Sequence, residues 1–229
     1  MTPPTIQVLA EARNPFIRWE WLVAEWDQIQ AALVEHLTLT MLAMSLGMAI
    51  SVVLTAIALR FRWALTPITA VTALIYTLPS VALFALFAPV FGNLARPTAV
   101  IPLAAYTLLI LVTNNVAGFR AVPLPVRDAA NGMGLSPARR IATVELPLAL
   151  PFIFTGIRIA TVSTVGLVTV AAIVGQGGLG GLIFSGLRRA FWTPMTIGAS
   201  LSIIVALLLD GLIYLIGAAL TPWTRRAGS

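Results

Sequence analysis

The sequence predicts an all-α, polytopic membrane protein with five transmembrane helices, and three observations predict it. Hydrophobic residues make up 59% of the chain and charged residues only 10%, against about half and about a quarter in soluble domains. Five apolar stretches are long enough to cross ~30 Å of hydrocarbon as helices. Arginines cluster at the ends of those stretches, as positive charge does around membrane helices.

Composition also excludes several chemistries. There is no cysteine, so disulfides, thiolate nucleophiles and thiolate metal sites are absent. The single histidine, His36, and the few scattered acids offer no metal-ligand cluster. Every basic residue other than His36 is arginine, so a P-loop, which needs Gly-Lys-Ser/Thr, has no lysine to use. The net charge of +6 comes without a basic stripe or an aromatic platform, and no nucleic-acid partner is expected.

Residues 1–34 form an N-terminal segment. Met1 to Pro15 has no apolar core of signal-peptide length. After it, Trp19, Leu22, Trp26, Ile29 and Leu33 recur at three- and four-residue steps, which predicts an amphipathic helix lying in the membrane interface with tryptophan anchors. The alternative is a helix that packs on its own protein. Residues 35–221 form the membrane domain. Its first span is Leu37 to Leu59, stopped by Arg60 and Arg62. The second runs from about Pro67 to Phe91, with Pro79 and Pro89 as kink points. Gly92 to Pro97 reads as a turn. The third span is Thr98 to Gly118, with Asn114 and Asn115 near its end. At least one of these amides is expected to face protein or water.

The polar stretch DAANGMGLSPARRIATVELPLALP, Asp128 to Pro151, interrupts the apolar pattern. Ser136-Pro137 reads as an N-cap followed by the first helical residue. Gly134 is placed to close the preceding helix at positive φ. A helix from about Val126 to Met133, a turn, and a second helix from Pro137 to about Glu145 are predicted. Ala129, Ala130 and Gly134 would let a partner's backbone approach closely. The fourth span, Phe152 to Val174, contains Arg158. The glycine-rich Gly175 to Gly186 reads as a re-entrant or surface loop. The fifth span is Met195 to Leu220 and contains Asp210; residues 222–229 are a tail.

The spacing of Asp128, Ala129, Ala130, Gly134, Val144, Leu146 and Pro147 resembles the EAA loop of ABC-importer permeases, with Asp in the usual Glu position. The resemblance extends to Tyr76–Phe87 (YTLPSVALFALF), Asn114-Asn115, Gly156–Arg158 (GIR) and Gly175–Leu187 (GQGGLGGLIFSGL). Together these are similar to the osmoprotectant branch, which imports glycine betaine, choline or carnitine. The likeness covers roughly Thr38 to Leu220, leaving the N-terminal segment outside it. It implies a type I importer permease core whose loop, about residues 120–150, couples to separate ATPase subunits through Asp128, Ala129, Ala130, Gly134, Leu146 and Pro147. ATP and Mg²⁺ would sit on those subunits, with no cofactor and no catalytic residue on this chain. The resemblance further implies a second permease copy, as a homodimer or a heterodimer, and an extracytoplasmic solute-binding protein. The chain to Ser229 leaves no segment for that protein, so it is expected to be a separate polypeptide. Membrane lipid is the remaining partner.

Tyr76, Pro79, Ser80, Asn114, Asn115 and Asp210 are candidates for the pathway. Tyr76, Phe84 and Tyr106 could hold a quaternary ammonium group by cation–π contact, although aromatics on membrane helices usually just pack. Gly175, Gly177 and Gly180 fit G-x-G-x-x-G but follow an apolar helix rather than a strand, so close packing or a bend is the better reading; with Gly178 they form what the family places near the outward end of the pathway. His36 reads as a residue at the boundary of the first span, without a glycine-framed serine for hydrolase chemistry. Arg158 and Asp210 fall at comparable depth and are expected to form an intramembrane ion pair; the alternative is that Arg158 snorkels and Asp210 faces a wet cavity. Arginine counting places the loop in the cytoplasm, the N-terminus outside and the C-terminus inside. Two rival functions stay open: an ABC permease for another small solute, such as an amino acid or a betaine-like compound, and a channel or secondary transporter, which would need no coupling loop.

Overall fold

The computed structural model describes residues 16–92 and 95–223, and their regular structure is entirely helical. A short helix α1 (Trp19–Ala24) precedes the long α2 (Trp26–Arg60). A single 3₁₀ turn, Arg62–Ala64, leads into α3 (Leu65–Thr77), followed by α4 (Ser80–Phe91) and α5 (Arg96–Arg120). The polar stretch folds as α6 (Leu124–Gly132), α7 (Pro137–Arg140) and a π-helical turn (Ile141–Glu145), which runs into α8 (Leu146–Ala171). After a glycine turn come α9 (Leu179–Arg188) and α10 (Trp192–Leu220).

Among the described residues, Trp26–Arg60, Arg96–Arg120, Pro137–Val174 and Trp192–Leu220 are long and apolar enough to span a bilayer; α3 and α4 make a fifth if taken as one span bent by 95°. The bend has a local cause. Proline disfavours the helical region for the residue before it, and Leu78 is extended at φ −66°, ψ 142°. The Tyr106 hydroxyl donates to the Leu78 carbonyl that the break leaves free.

The helices contribute to two compact units. One is drawn from the chain up to Leu42, from Pro79–Pro102 and from Val165–Ala206. Phe84, Leu39 and Leu179 are fully buried there, and the Gln176 amide donates to the Ala95 carbonyl. The other is drawn from Ala43–Leu78, Leu103–Thr164 and the chain from Leu207 onward. Its core has Met44, Leu111 and Ala160 buried together, joining α2, α5 and α8. A second cluster of Ala58, Val112 and Val116 is flanked by Leu65 and Ile68 of α3.

Several boundaries differ from those the sequence predicts. The expected interfacial helix is divided at Glu25, where α1 ends and α2 begins, and Trp26 onward belongs to the first span. Along the anticipated stripe Trp19 is 74% exposed and Ile29 only 4%. One edge of α1 also packs on its own chain. Arg18 lies 5.1 Å from the Phe191 ring centroid and Trp21 meets the same ring edge-on at 5.7 Å. The helix that carries the fourth span starts well before Phe152. Helix continues without a break from Pro137 to Val174, because the π turn already shifts the hydrogen-bond ladder just where Pro147 lacks a donor. The glycine-rich stretch is a short turn plus helix α9 rather than a loop throughout. Arg13, Arg225, Arg226 and the segment before Phe16 lie outside the described residues.

Candidate functional site

The polar segment is built by its punctuation. Gly134 adopts φ +73° one residue beyond the cap of α6. The Leu135 N–H reaches back to the Ala130 carbonyl at 3.2 Å and the Gly134 N–H to the Asn131 carbonyl at 2.9 Å. These are the two bonds of a Schellman motif, which needs a left-handed residue where glycine stands. Ser136 then accepts the Arg139 N–H at 3.4 Å on its hydroxyl and caps α7. Asp128, Ala129, Gly134 and Leu146 are exposed, as are Leu124, Met133 and Ile141; Pro147 is half-buried. Ala130 is the exception, at 1% exposure. It fills the underside of α6 and is not available to a partner's backbone, which corrects the sequence expectation for that residue.

Beneath this surface is a charged hub that the sequence analysis did not single out. Glu145 is buried. It accepts from Arg140 Nε at 2.6 Å and lies 3.6 Å from an Arg127 terminal nitrogen. Arg140 also donates to Asn131 Oδ1 at 2.6 Å, and Arg127 donates to the Phe119 carbonyl at the end of α5. One carboxylate thus ties α6, α7 and the start of the fourth span together. The Arg127 Nε is buried without a hydrogen-bond partner among the described residues, so Arg127 relies on the carboxylate and the Phe119 carbonyl.

Farther along the same unit, Arg158 of α8 and Asp210 of α10 meet in a two-pronged ion pair of 2.8 and 2.7 Å. Tyr214, one turn beyond Asp210, lies with its ring centroid 5.1 Å from the guanidinium carbon. The pair is partly open, with side-chain exposures of 36% and 28%. Two residues before Arg158, Gly156 leaves room for Asn114 of α5: a methyl there would lie 2.7 Å from Asn114 Cβ. Asn114 returns its amide N–H to the Ile110 carbonyl of its own helix at 2.8 Å. Asn115 is buried and donates to Thr55 Oγ1 of α2 at 3.3 Å. Both amides therefore face protein, Asn114 toward Gly156 of α8 and Asn115 toward Thr55 of α2. Tyr76 and Tyr106 form an edge-on pair at 6.0 Å. Tyr106 is 5% exposed and committed to Leu78, whereas Tyr76 is open. Pro79 is exposed and Ser80 half-buried at the bend.

In the other unit, Gly175 at φ +89° and Gly178 at φ +71° bracket the turn before α9. The Glu35 carboxylate accepts the Gly177 N–H at 3.2 Å and the Gly178 N–H at 2.9 Å. Gly180 packs against α8 so tightly that a methyl would lie 2.1 Å from the Thr169 carbonyl oxygen. The G-x-G-x-x-G spacing here serves bending and close packing. His36 is fully buried beside this turn, against Gly178. Sequence alone hid both residues, since their partners lie more than a hundred positions away.

The arrangement joins a membrane-spanning helical body to an exposed, internally braced polar loop, and comparison with known proteins agrees with that reading. Residues 43–222 match the model of the binding-protein-dependent transport system inner membrane component. The osmoprotectant import permease protein OsmW of Salmonella typhimurium is 35% identical over 192 residues, covering 82% of this chain and 89% of that protein. The choline transport system permease protein OpuBB of Bacillus subtilis is 34% identical over 189 residues, covering 82% and 86% respectively. An inward-facing structure of the MetNI methionine ABC transporter superposes with a TM-score of 0.73 at 20% identity, covering 88% of this chain and 97% of that one; it shares the fold. The chain belongs to the inner-membrane permease components of binding-protein-dependent transport systems, and it is a multi-pass permease subunit of an ABC importer.

Proposed function

We propose that this permease subunit imports osmoprotectants of the glycine betaine, choline or carnitine class, and that residues 120–150 couple it to a separate ATPase subunit that carries ATP and Mg²⁺. The observation that carries the coupling reading is the braced loop. Asp128, Ala129 and Gly134 are exposed on a surface that Glu145 locks to the fourth span. A surface held that firmly to a membrane helix can pass on a push. The printed functions of OsmW and OpuBB support the solute class.

The subunit acts as one of a pair, most simply a two-fold homodimer; a heterodimer with a second permease is the alternative. Its loop faces the cytoplasm, its N-terminus lies outside and its C-terminus inside. Support comes from arginine asymmetry: Arg60, Arg62, Arg120, Arg127, Arg139, Arg140, Arg225 and Arg226 on the loop side, against Arg13, Arg18, Arg96, Arg188 and Arg189 on the other. An extracytoplasmic binding protein delivers the solute.

The test is purification from native membranes through a tag on this chain, followed by mass spectrometry and native mass measurement. An ATPase subunit and two permease chains are expected. The binding protein, titrated with glycine betaine, choline, carnitine and a neutral amino acid, should prefer a quaternary ammonium compound. A chain that purifies alone, or a binding protein that selects the amino acid, contradicts the corresponding part of the reading.

A further inference from the structure

We propose that Glu35 is a positioning residue that latches the glycine turn between α8 and α9, and that this latch must release for the turn to move during transport. Glu35 sits in α2, yet its carboxylate holds two backbone N–H groups at the start of α9, from Gly177 at 3.2 Å and Gly178 at 2.9 Å. The first N–H groups of a helix have no partner within it, and a carboxylate there also meets the positive end of the helix dipole. Glu35 thus braces, from a distant helix, the N-cap residue Gly178 and the residue before it, at a helix start that has no side-chain cap of its own.

The turn has the form of a hinge with a breakable tether. Gly175 and Gly178 take left-handed backbone conformations, and no regular helix lies between them. Gln176, beside them, is buried and bonded to the Ala95 carbonyl, which anchors the turn. Glu35 is exposed whereas Gln176 is buried, so the carboxylate is the less shielded of the two tethers. The exposed tether is the one that can open while the anchor holds. In the chain, the apolar helix α8 separates this turn from the polar loop.

Gly177 allows the latch to be tested from its other side. Its backbone is not left-handed, so alanine is not strained there. A methyl on Gly177, however, would lie 2.1 Å from Glu35 Oε2, and the flexible carboxylate must swing away. Gly177→Ala and Glu35→Ala should therefore have the same consequence. The chain has no cysteine, and Leu179, the first residue of α9, is fully buried. Leu179→Cys is thus shielded while the latch holds and reports its opening to a water-soluble maleimide.

In the full chain in nanodiscs, Glu35→Ala and Gly177→Ala should each speed labelling of the reporter about fivefold, the factor for about 1 kcal/mol of hydrogen bonding. The double variant should be no faster than either, and Glu35→Gln should fall between. Unchanged labelling in both single variants, or additive effects in the double, overturns the latch. This measurement needs no partner, so it stands apart from the coupling assignment. The transport role rests on that assignment: with the ATPase bound, both variants should raise solute-independent hydrolysis about threefold. Faster labelling with unchanged hydrolysis overturns the transport role while leaving the tether intact.

Discussion

Arg158 of α8 bonds both carboxylate oxygens of Asp210 of α10, at 2.8 and 2.7 Å. A lone charge near the bilayer centre costs about 2.5–3.5 kcal/mol on insertion scales, and pairing lowers that cost for both residues. Arg158→Ala or Asp210→Ala should therefore each lower the yield of folded protein, by the equivalent of about 2 kcal/mol. The double variant should recover part of the loss. Thermal stability of the detergent-purified variants measures this, and strictly additive losses would show that the pair contributes nothing.

Gly134 gives a second prediction, in which turn geometry and surface sterics separate. A side chain there meets nothing within 4 Å, but φ is +73°. Gly134→Val forces a β-branched residue into the left-handed region, at roughly 1–2 kcal/mol. It should uncouple ATP hydrolysis from uptake by misplacing α7. Gly134→Asn tolerates that conformation and should retain most coupling if the turn matters, or lose it equally if bulk at the docking surface matters. The ratio of solute carried to ATP hydrolysed distinguishes them.

Glu145 gives a third. Removing its carboxylate as Glu145→Ala leaves Arg127 and Arg140 with only their neutral acceptors, the Phe119 carbonyl and Asn131, at about 2 kcal/mol once their partial exposure is discounted. Glu145→Gln keeps the shape and should cost less. Both should insert normally yet lose solute-stimulated hydrolysis, because α6 is no longer braced to the fourth span. Normal stimulation in Glu145→Ala would separate the hub from coupling.

A fourth concerns Asn115, whose buried amide donates to Thr55 at 3.3 Å. Asn115→Leu should leave transport within about twofold, whereas Asn115→Ala should destabilise by about 1–2 kcal/mol by opening a void between α2 and α5. A thermal melt and an uptake assay on both variants decide whether this residue is structural or part of the pathway.

Which of these features could be read in the sequence follows from how local their causes are. The turn at Gly134 was legible because glycine, serine and proline fix it within four residues. The approach of Arg158 to Asp210 was legible because depth along two apolar spans can be counted. The bend at Leu78–Pro79 was legible as a kink but not in its size of 95°, nor was the Tyr106 hydroxyl that meets the freed Leu78 carbonyl from α5. Glu145 was hidden by the π turn. Five residues apart, Arg140 and Glu145 point away from each other on an α-helix, and only the wider π geometry brings them to one side. Glu35 was hidden because its partners are backbone N–H groups, which leave no trace in side-chain pattern. The packing of α1 on Phe191 was hidden because it runs through Arg18 and Trp21, which lie outside the N-terminal stripe.

The central claim is that this chain is a conduit driven by another polypeptide's ATP hydrolysis. The most direct test is uptake of radiolabelled choline into proteoliposomes containing the chain alone, the chain with its co-purified ATPase, and that complex with the binding protein, each with and without internal ATP. The account predicts uptake only in the complete system with ATP, and none from the chain alone. Substantial ATP-independent flux through the chain alone would contradict it.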